Sequence, residues 1–317
     1  MRRGAQRLRS RVRGLLLVGI AASLAFAVAL QWGAIRTFEW RLSWPPFVAA
    51  VCLFAIGPLV GGVSFWIVLR DLAPGARIGP SLWVWERSFA ARYIPSGALT
   101  VAVRLVERER LGATRGQMLS ATAFEHLVSM AGAAVVSLAA FSASGRRPPL
   151  VAVVVLAAVL AVAGGARPAA VWWERRRALS RAAAGTAVVG TSALLAALAL
   201  CLFGWLVAGT AAWIFVEALT AGPAPSFLFL LGAYTFAWLV GFVVPLAPSG
   251  LGVREATLIA LLAPTLGAAP ATALTVGLRL ANAAGDFLAI GAIEAARAAA
   301  RRWRRAHGTH PVAWEIP

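Results

Sequence analysis

From Ala187 to Glu217 the chain reads AVVGTSALLAALALCLFGWLVAGTAAWIFVE. Its one charged residue, Glu217, stands at the end. An α-helix rises 1.5 Å per residue, so about 20 apolar residues cover the ~30 Å hydrocarbon core of a bilayer. The stretch is longer than one untilted crossing needs, which leaves room for tilt or an interfacial turn. Inside hydrocarbon the backbone must bond to itself, so only helices or a closed barrel can span. Barrel strands alternate apolar and polar residues in segments of about ten. This stretch does not alternate, and the reading is helix.

Similar runs lie on both sides of it, at 14–34, 45–69, 118–141, 149–166, 226–246 and 271–296, with a shorter one at 254–265. They predict eight helical passes. The composition agrees: of 317 residues 60% are hydrophobic and 13% charged, where a soluble domain carries about 25% charged residues. The expected fold is all-α, a polytopic integral membrane bundle of about eight transmembrane or re-entrant helices. Residues 1–13 form a basic N-terminus, 14–298 one transmembrane domain, and 299–317 a basic tail. Residues 1–30 have the outline of a signal peptide, with Ala25-Phe26-Ala27 as a cleavage site. The length of the first run and the spans after it favour an uncleaved anchor.

The formal net charge is +18, and every basic residue is Arg. Such a charge suggests nucleic acid, but its placement does not. With the N-terminus inside, 25 of the 30 Arg fall in cytoplasmic segments, among them 1–13, 70–116, 167–185 and 297–317. Only Arg36, Arg41, Arg146 and Arg147 fall outside, and Arg279 lies within a span. This is the positive-inside pattern, and it predicts both termini in the cytoplasm. A re-entrant 254–265 would strand the C-terminal Arg cluster outside, so the charge rule favours a crossing there. On this reading 70–116 is the longest extramembrane stretch, and Trp40, Trp44, Trp83, Trp85, Trp172 and Trp173 flank spans as interfacial belts. Frequent Ala and exclusive use of Arg suggest a bacterial genome rich in G and C, hence a bacterial plasma membrane. Cys52 and Cys201 read as small core residues. The three His are scattered, and neither a metal cluster nor a cofactor is expected.

Two segments break the helical pattern. One is Arg92-Tyr93-Ile94-Pro95-Ser96-Gly97, followed by Arg104. The other runs Pro245-Leu246-Ala247-Pro248-Ser249-Gly250-Leu251-Gly252-Val253-Arg254-Glu255. Proline removes a backbone donor, and glycine permits positive φ. Pro-Ser-Gly is either a tight turn or a helix break lining a cavity. Transporters aim such breaks at anionic substrate groups. Two copies, each followed by Arg, raise the possibility of a diverged inverted repeat. In the last span Arg279, Asn282 and Asp286 share one helical face, as a polar stripe or as a structural ion pair. Glu125 and His126 stand early in the third span. Adjacent positions on a helix point apart, so His126 reads as a packing residue and Arg254 and Glu255 as pairing elsewhere. Glu217 sits near an outer interface. Ala131-Gly132-Ala133-Ala134 and Gly61-Gly62 permit close helix packing.

The run Pro248-Ser249-Gly250-Leu251-Gly252-Val253-Arg254-Glu255-Ala256, with Arg279 after it, resembles the signature of the lysylphosphatidylglycerol synthase transmembrane (flippase-like) family. Arg92-Tyr93-Ile94-Pro95, Arg104 and Glu125 resemble its first half, although that family commonly has Pro-Gly where Pro95-Ser96 stands. The likeness covers about residues 10–300, without the soluble aminoacyltransferase domain. It implies translocation of lipid and no synthase activity. Some relatives accompany glycosyltransferases that use polyprenyl-phosphate carriers.

The expected function is therefore a lipid translocase for an anionic phospholipid or a polyprenyl-phosphate-linked lipid, and not an enzyme. Arg92, Arg104, Arg254 and Arg279 would engage the phosphate. Glu125, Glu255, Asn282 and Asp286 would balance charge or line the path. Pro95, Gly97, Pro245, Pro248, Gly250 and Gly252 would make the breaks. The alternative is a non-transporting scaffold for a cell-envelope glycosyltransferase. A lipid-modifying enzyme ranks last, because no nucleophile constellation is legible.

Overall fold

A computed structural model describes residues 29, 32–37, 42–91, 99–147, 149–158, 189–220, 224–243 and 252–307. Among them all regular structure is helical. The labelled helices are α1 (Trp32–Thr37), α2 (Trp44–Leu72), α3 (Ile78–Ala90), α4 (Leu99–Glu107), α5 (Arg115–Ala143), α6 (Thr191–Leu219), α7 (Phe227–Val243), α8 (Val253–Leu266) and α9 (Ala268–Ala306). A 3-10 turn, Arg108–Leu111, follows α4. By length and apolarity four of these can cross a membrane: α2, α5, α6 and α9. The chain is an all-α multi-pass membrane bundle. Its outer apolar side chains, such as Phe203 and Leu206 on α6, are exposed as hydrocarbon-facing residues must be. The run 14–34 lies almost wholly outside the described residues, and 149–166 is helical over 150–158.

The long helices pack in a fixed order. α2 and α6 are antiparallel along their whole length: Ser43 N–H donates to Ala218 O, Gly204 receives Val60, and Gly190 N–H donates to the Asp71 carboxylate. α5 begins beside the end of α2, where Gln117 Nε2 donates to Leu72 O at 2.6 Å. Thr114 and Gln117 cap it reciprocally, as a Thr-x-x-Gln sequence is built to do. Gly132 of the small-residue run receives Cys201 and Trp205 of α6 at 3.3 Å. α9 runs in the same direction as α2. A Cβ on Gly285 would stand 2.5 Å from Phe54 Cβ and 2.9 Å from Ala55 N, so only glycine allows this approach. One end of the bundle thus gathers Leu72, Arg115 and Gly190, and is rich in Arg. The far end gathers Ser43, Ala218 and the start of α7.

The shorter helices correct two expectations. Segment 70–116 is not extramembrane throughout. α3 turns back along α2, with Trp85 and Leu82 seated on Gly61 and Gly62. α4 then reverses along α3, so that Arg104 reaches Ser88 and Arg110 reaches Trp83. The sequence hid this because α3 has only 13 residues and α4 only 9, too short for an apolar run to register.

The runs 226–246 and 254–265 are not two separate crossings. α7 has 17 residues and α8 has 14. At 1.5 Å per residue these are about 25 and 21 Å long, each short of a ~30 Å core. α7 starts at the far end, where Phe229 meets Phe141, and ends with Phe242 against His126. His126 is about 16 Å along α5 from Arg115. The described part of α7 therefore reaches to mid-bundle. α8 begins there, with Arg254 against Gly241, and climbs back. Gly267, at φ 86°, turns it into α9. α7 and α8 form one re-entrant pair. α9 then runs from the far end to the Arg-rich end, where Trp83 Nε1 donates to Glu294.

Candidate functional site

Both helix-break segments lie between the arms of such a pair: 92–98 between α3 and α4, and 244–251 between α7 and α8. Arg92, Pro95, Gly97, Pro245, Pro248 and Gly250 fall outside the described residues. The helices after each break carry one ion pair apiece, and each pair joins the short helix to the long helix that follows it.

In the first pair, Arg104 of α4 meets Glu125 of α5 at 2.8 Å. The Arg104 side chain is 2% exposed. Its Nε donates to Ser88 Oγ at 2.9 Å, and its Nη1 donates to Glu125 Oε2 and to Thr122 Oγ1. The guanidinium lies over Phe65, 4.5 Å from the ring centroid. The other carboxylate oxygen, Oε1, accepts from Trp85 Nε1 at 3.2 Å. His126 Nδ1 stands 3.2 Å from Oε2 and 2.7 Å from Thr122 O. Both ions are enclosed and both are supplied with partners from within the protein. A buried pair is tolerated only under that condition.

The second pair differs in its cation, since Glu125, 12% exposed, is about as enclosed as Glu255 and Arg279. Glu255 of α8 meets Arg279 of α9 through Oε1 and Nη1, and both side chains keep about a seventh of their surface exposed. Glu255 Oε2 accepts from the Gly252 N–H at 2.7 Å. Gly252 has φ 82°, a left-handed value that glycine adopts without a Cβ penalty. Glu255 thus closes half of a capping box, its oxygens divided between a guanidinium and a helix-terminal amide. Donors remain over. Arg279 Nε is buried and has no acceptor among the described residues. The Arg254 guanidinium rests over the Tyr234 ring at 4.9 Å, half-buried, with no acceptor given to it by the described residues.

The last turn of α7 connects the two pairs. Gly241 packs on Arg254 Cβ at 3.0 Å, and its neighbour Phe242 packs on His126, ring centroids 5.4 Å apart. Trp238 stacks on Phe242 and meets Trp205 edge-on. A row of aromatic rings therefore runs from His126 through Phe242 and Trp238 to Trp205. The family model for the lysylphosphatidylglycerol synthase TM region matches residues 14–289, which includes both breaks and both pairs. The chain belongs to that family. No curated protein matches it. Membership points to a membrane protein of lipid metabolism or translocation.

Within this member of the lysylphosphatidylglycerol synthase TM region family, the expected residues divide. Arg104 and Glu125 come together but are sealed, so Arg104 does not reach a headgroup in this structure. Glu255 and Arg279 come together, and Arg254, next to Glu255 in the chain, lies instead against Tyr234 and Gly241. Asn282 and Asp286 continue the inward face of α9, with Asp286 fully buried. The ion pair of Arg279 is with Glu255 across the helix interface, correcting the alternative that joined it to Asp286. His126 does touch Glu125 despite being adjacent to it, its Nδ1 3.2 Å from Oε2. Trp83 and Trp85 are buried hydrogen-bond donors and not belt residues. Cys52 is exposed on α2 and not a core residue. Sequence reasoning missed Ser88, Thr122, Trp85 and Tyr234. Their signal was weak: a polar or amphipathic side chain one helix away from an intramembrane charge, visible only once α3 and α4 are known to fold inward.

Proposed function

We propose that the protein is a lipid translocase whose substrate carries an anionic headgroup, an anionic phospholipid or a polyprenyl-phosphate-linked lipid, and that it makes and breaks no covalent bond. The observation that carries this reading is the surplus of donors beside Gly252. Arg254 rests on an aromatic face, and Arg279 Nε has no acceptor among the described residues. A phosphate cannot cross hydrocarbon without replacing its hydration. Guanidinium donors replace it with charge-assisted, often bidentate bonds. Glu255 is the resting occupant of that position. Its two oxygens already hold Arg279 Nη1 and the Gly252 amide, two donors a phosphate would use. On arrival of substrate the carboxylate withdraws, and Arg254 leaves Tyr234 to add a second guanidinium. The half-helix ending at Val243 and the one beginning at Val253 meet inside the bundle, the arrangement transporters use to place a site near the midplane.

We assign the protein to a bacterial plasma membrane with both termini cytoplasmic. The support is the distribution of Arg and the gathering of Arg-rich segments at one end of the bundle. A partner glycosyltransferase would act on the same lipid. The test is movement of fluorescent anionic lipid across liposomes holding the purified protein. The parent should accelerate it, and Arg254→Gln and Arg279→Gln should each slow it by about tenfold or more, the worth of one charge-assisted contact. Parent liposomes no faster than empty ones, with a tightly held enzyme partner on purification, would replace the translocase by a scaffold.

A further inference from the structure

One titratable side chain bridges the Arg104–Glu125 pair and the last described turn of α7. His126 Nδ1 lies 2.7 Å from the Thr122 carbonyl oxygen and 3.2 Å from Glu125 Oε2. Both are acceptors, so Nδ1 carries a hydrogen whatever the charge of the ring. Nε2 is therefore the nitrogen that takes up or releases a proton. Imidazole is the side chain whose ordinary titration falls between pH 5 and 8. A third of the His126 side-chain surface stays open, against 2% for Arg104. The ring also packs on Phe242, centroids 5.4 Å apart, and Phe242 in turn stacks on Trp238.

Among the described residues, the charges that act on this ring are Glu125 and Arg104. Glu125 of α5 is the anion beside it, and Arg104 of α4 is the cation on that same carboxylate. α3 brings Trp85 and Ser88 to the pair, and α6 brings Cys201, all neutral near pH 7. α7 brings Phe242, which has no charge. A neutral and a charged imidazole both find partners here. The neutral ring keeps its Nδ1–H bonds. The charged ring adds attraction to Phe242, because a cation within about 6 Å of an aromatic centroid is drawn to it. The two states differ in how firmly they hold α7 at this turn. That turn matters because Gly241, the residue before Phe242, packs on Arg254 Cβ at 3.0 Å.

We infer that His126 is a proton-binding site whose occupancy sets how firmly this turn of α7 is held, and through it the release of Arg254 from Tyr234. The consequence rests on the translocase reading, which it deepens by naming the proton as the ion that controls the Arg254–Arg279 site. With the proton bound, Phe242 is drawn to His126, and Gly241 keeps Arg254 in place. With the proton gone, the rings only pack, and α7 and α8 part more easily. Anionic lipid should therefore move faster at pH 8 than at pH 6, by about fivefold, the worth of one cation–π contact.

The experiment has two arms. NMR of the full chain in detergent, carrying isotope-labelled histidine, reads the ring directly. The chain has three His, and the signal lost in His126→Gln identifies this one. It should titrate between pH 5 and 8 and keep its hydrogen on Nδ1 throughout. Flipping of fluorescent phosphatidylglycerol, a diester whose charge is constant in this range, is then measured in liposomes at pH 6 and pH 8, equal on both sides. The parent should be faster at pH 8. His126→Gln, which keeps a donor for Thr122 O, and Phe242→Leu should each flip at one rate at both, and His307→Gln should keep the parent's ratio. A His126 ring that holds one charge state from pH 5 to 8 overturns the proposal. So does a parent without pH dependence, or the parent's ratio persisting in His126→Gln or Phe242→Leu. Parent liposomes no faster than empty ones at either pH sink the translocase reading. The proton site then stands if Phe242→Leu moves the His126 titration, and falls if it does not.

Discussion

The two re-entrant pairs of helices carry ion pairs of opposite polarity and different surroundings. After the first break the short helix supplies the cation, Arg104, and the long helix the anion, Glu125. After the second the short helix supplies the anion, Glu255, and the long helix the cation, Arg279. The sequence separations are similar, 21 and 24 residues. The first is sealed, with Ser88, Thr122, Trp85 and His126 completing its hydrogen bonds. In the second neither partner is enclosed as Arg104 is, and the Arg254 guanidinium has no acceptor among the described residues. Matching positions in two similar motifs have thus been put to different uses. One fixes a helical pair against α5, and the other is where we propose that cations meet a ligand.

Removing one partner tests that division most severely. Arg104→Met leaves Glu125 buried without its counter-ion, at a cost of about 3–5 kcal/mol. Thermal unfolding in detergent should show the loss, and Arg104→Met with Glu125→Leu should restore much of it. Arg279→Met should cost less, since Glu255 keeps the Gly252 amide. Equal losses at the two sites would erase the distinction.

The next effect tests whether the two halves are held in one body. Gly285→Ala drives a Cβ onto the backbone of α2 at Ala55, where no side chain can give way. Overpacking of this kind costs about 1–3 kcal/mol. Gly291→Ala, with open space around it, is the control and should be neutral or slightly stabilising because Ala favours helix. Both are read by the same unfolding measurement. Trp85→Phe should follow at about 1 kcal/mol, the worth of the hydrogen bond to Glu125 Oε1. Its ring packing on Phe89 would remain.

What was legible in the chain follows from what hydrophobic length can report. The four long spans were readable because each holds an apolar run longer than a membrane is thick. Arg254, Glu255 and Arg279 were readable because charge inside such runs is costly and therefore conspicuous. The re-entrant pairs were not. α3 and α4 are too short to make a run and bury through Trp85, Ser88 and Arg104, residues that look like surface when read in order. α7 and α8 looked like a full and a short crossing because hydropathy measures apolarity and not where a helix ends. The sealed state of Arg104 was also hidden. It depends on Ser88, 16 residues before it, and on Thr122 and Glu125, 18 and 21 residues after it, which no periodicity connects. Resemblance located the second motif well, yet it could not separate the sealed Arg104 from Arg254 and Arg279. Only the hydrogen-bond partners do that.

The smallest expected change in stability is also the most discriminating. Glu255→Gln preserves the reach back to the Gly252 amide through its carbonyl oxygen and removes the negative charge facing Arg279. Gln still offers an acceptor oxygen to the Gly252 amide, so the change should cost about 1 kcal/mol. If Glu255 is the stand-in for a phosphate, its neutralisation leaves Arg279 and Arg254 without a resident anion. Anionic lipid should then bind several-fold more tightly, while flipping slows because the headgroup no longer meets a carboxylate that displaces it. Lipid retention by native mass spectrometry and flipping in liposomes measure the two separately. If instead Glu255 serves as Glu125 does, the variant should unfold early and bind no more lipid than the parent. The opposite signs of these outcomes make this one substitution a direct comparison of the two pairs.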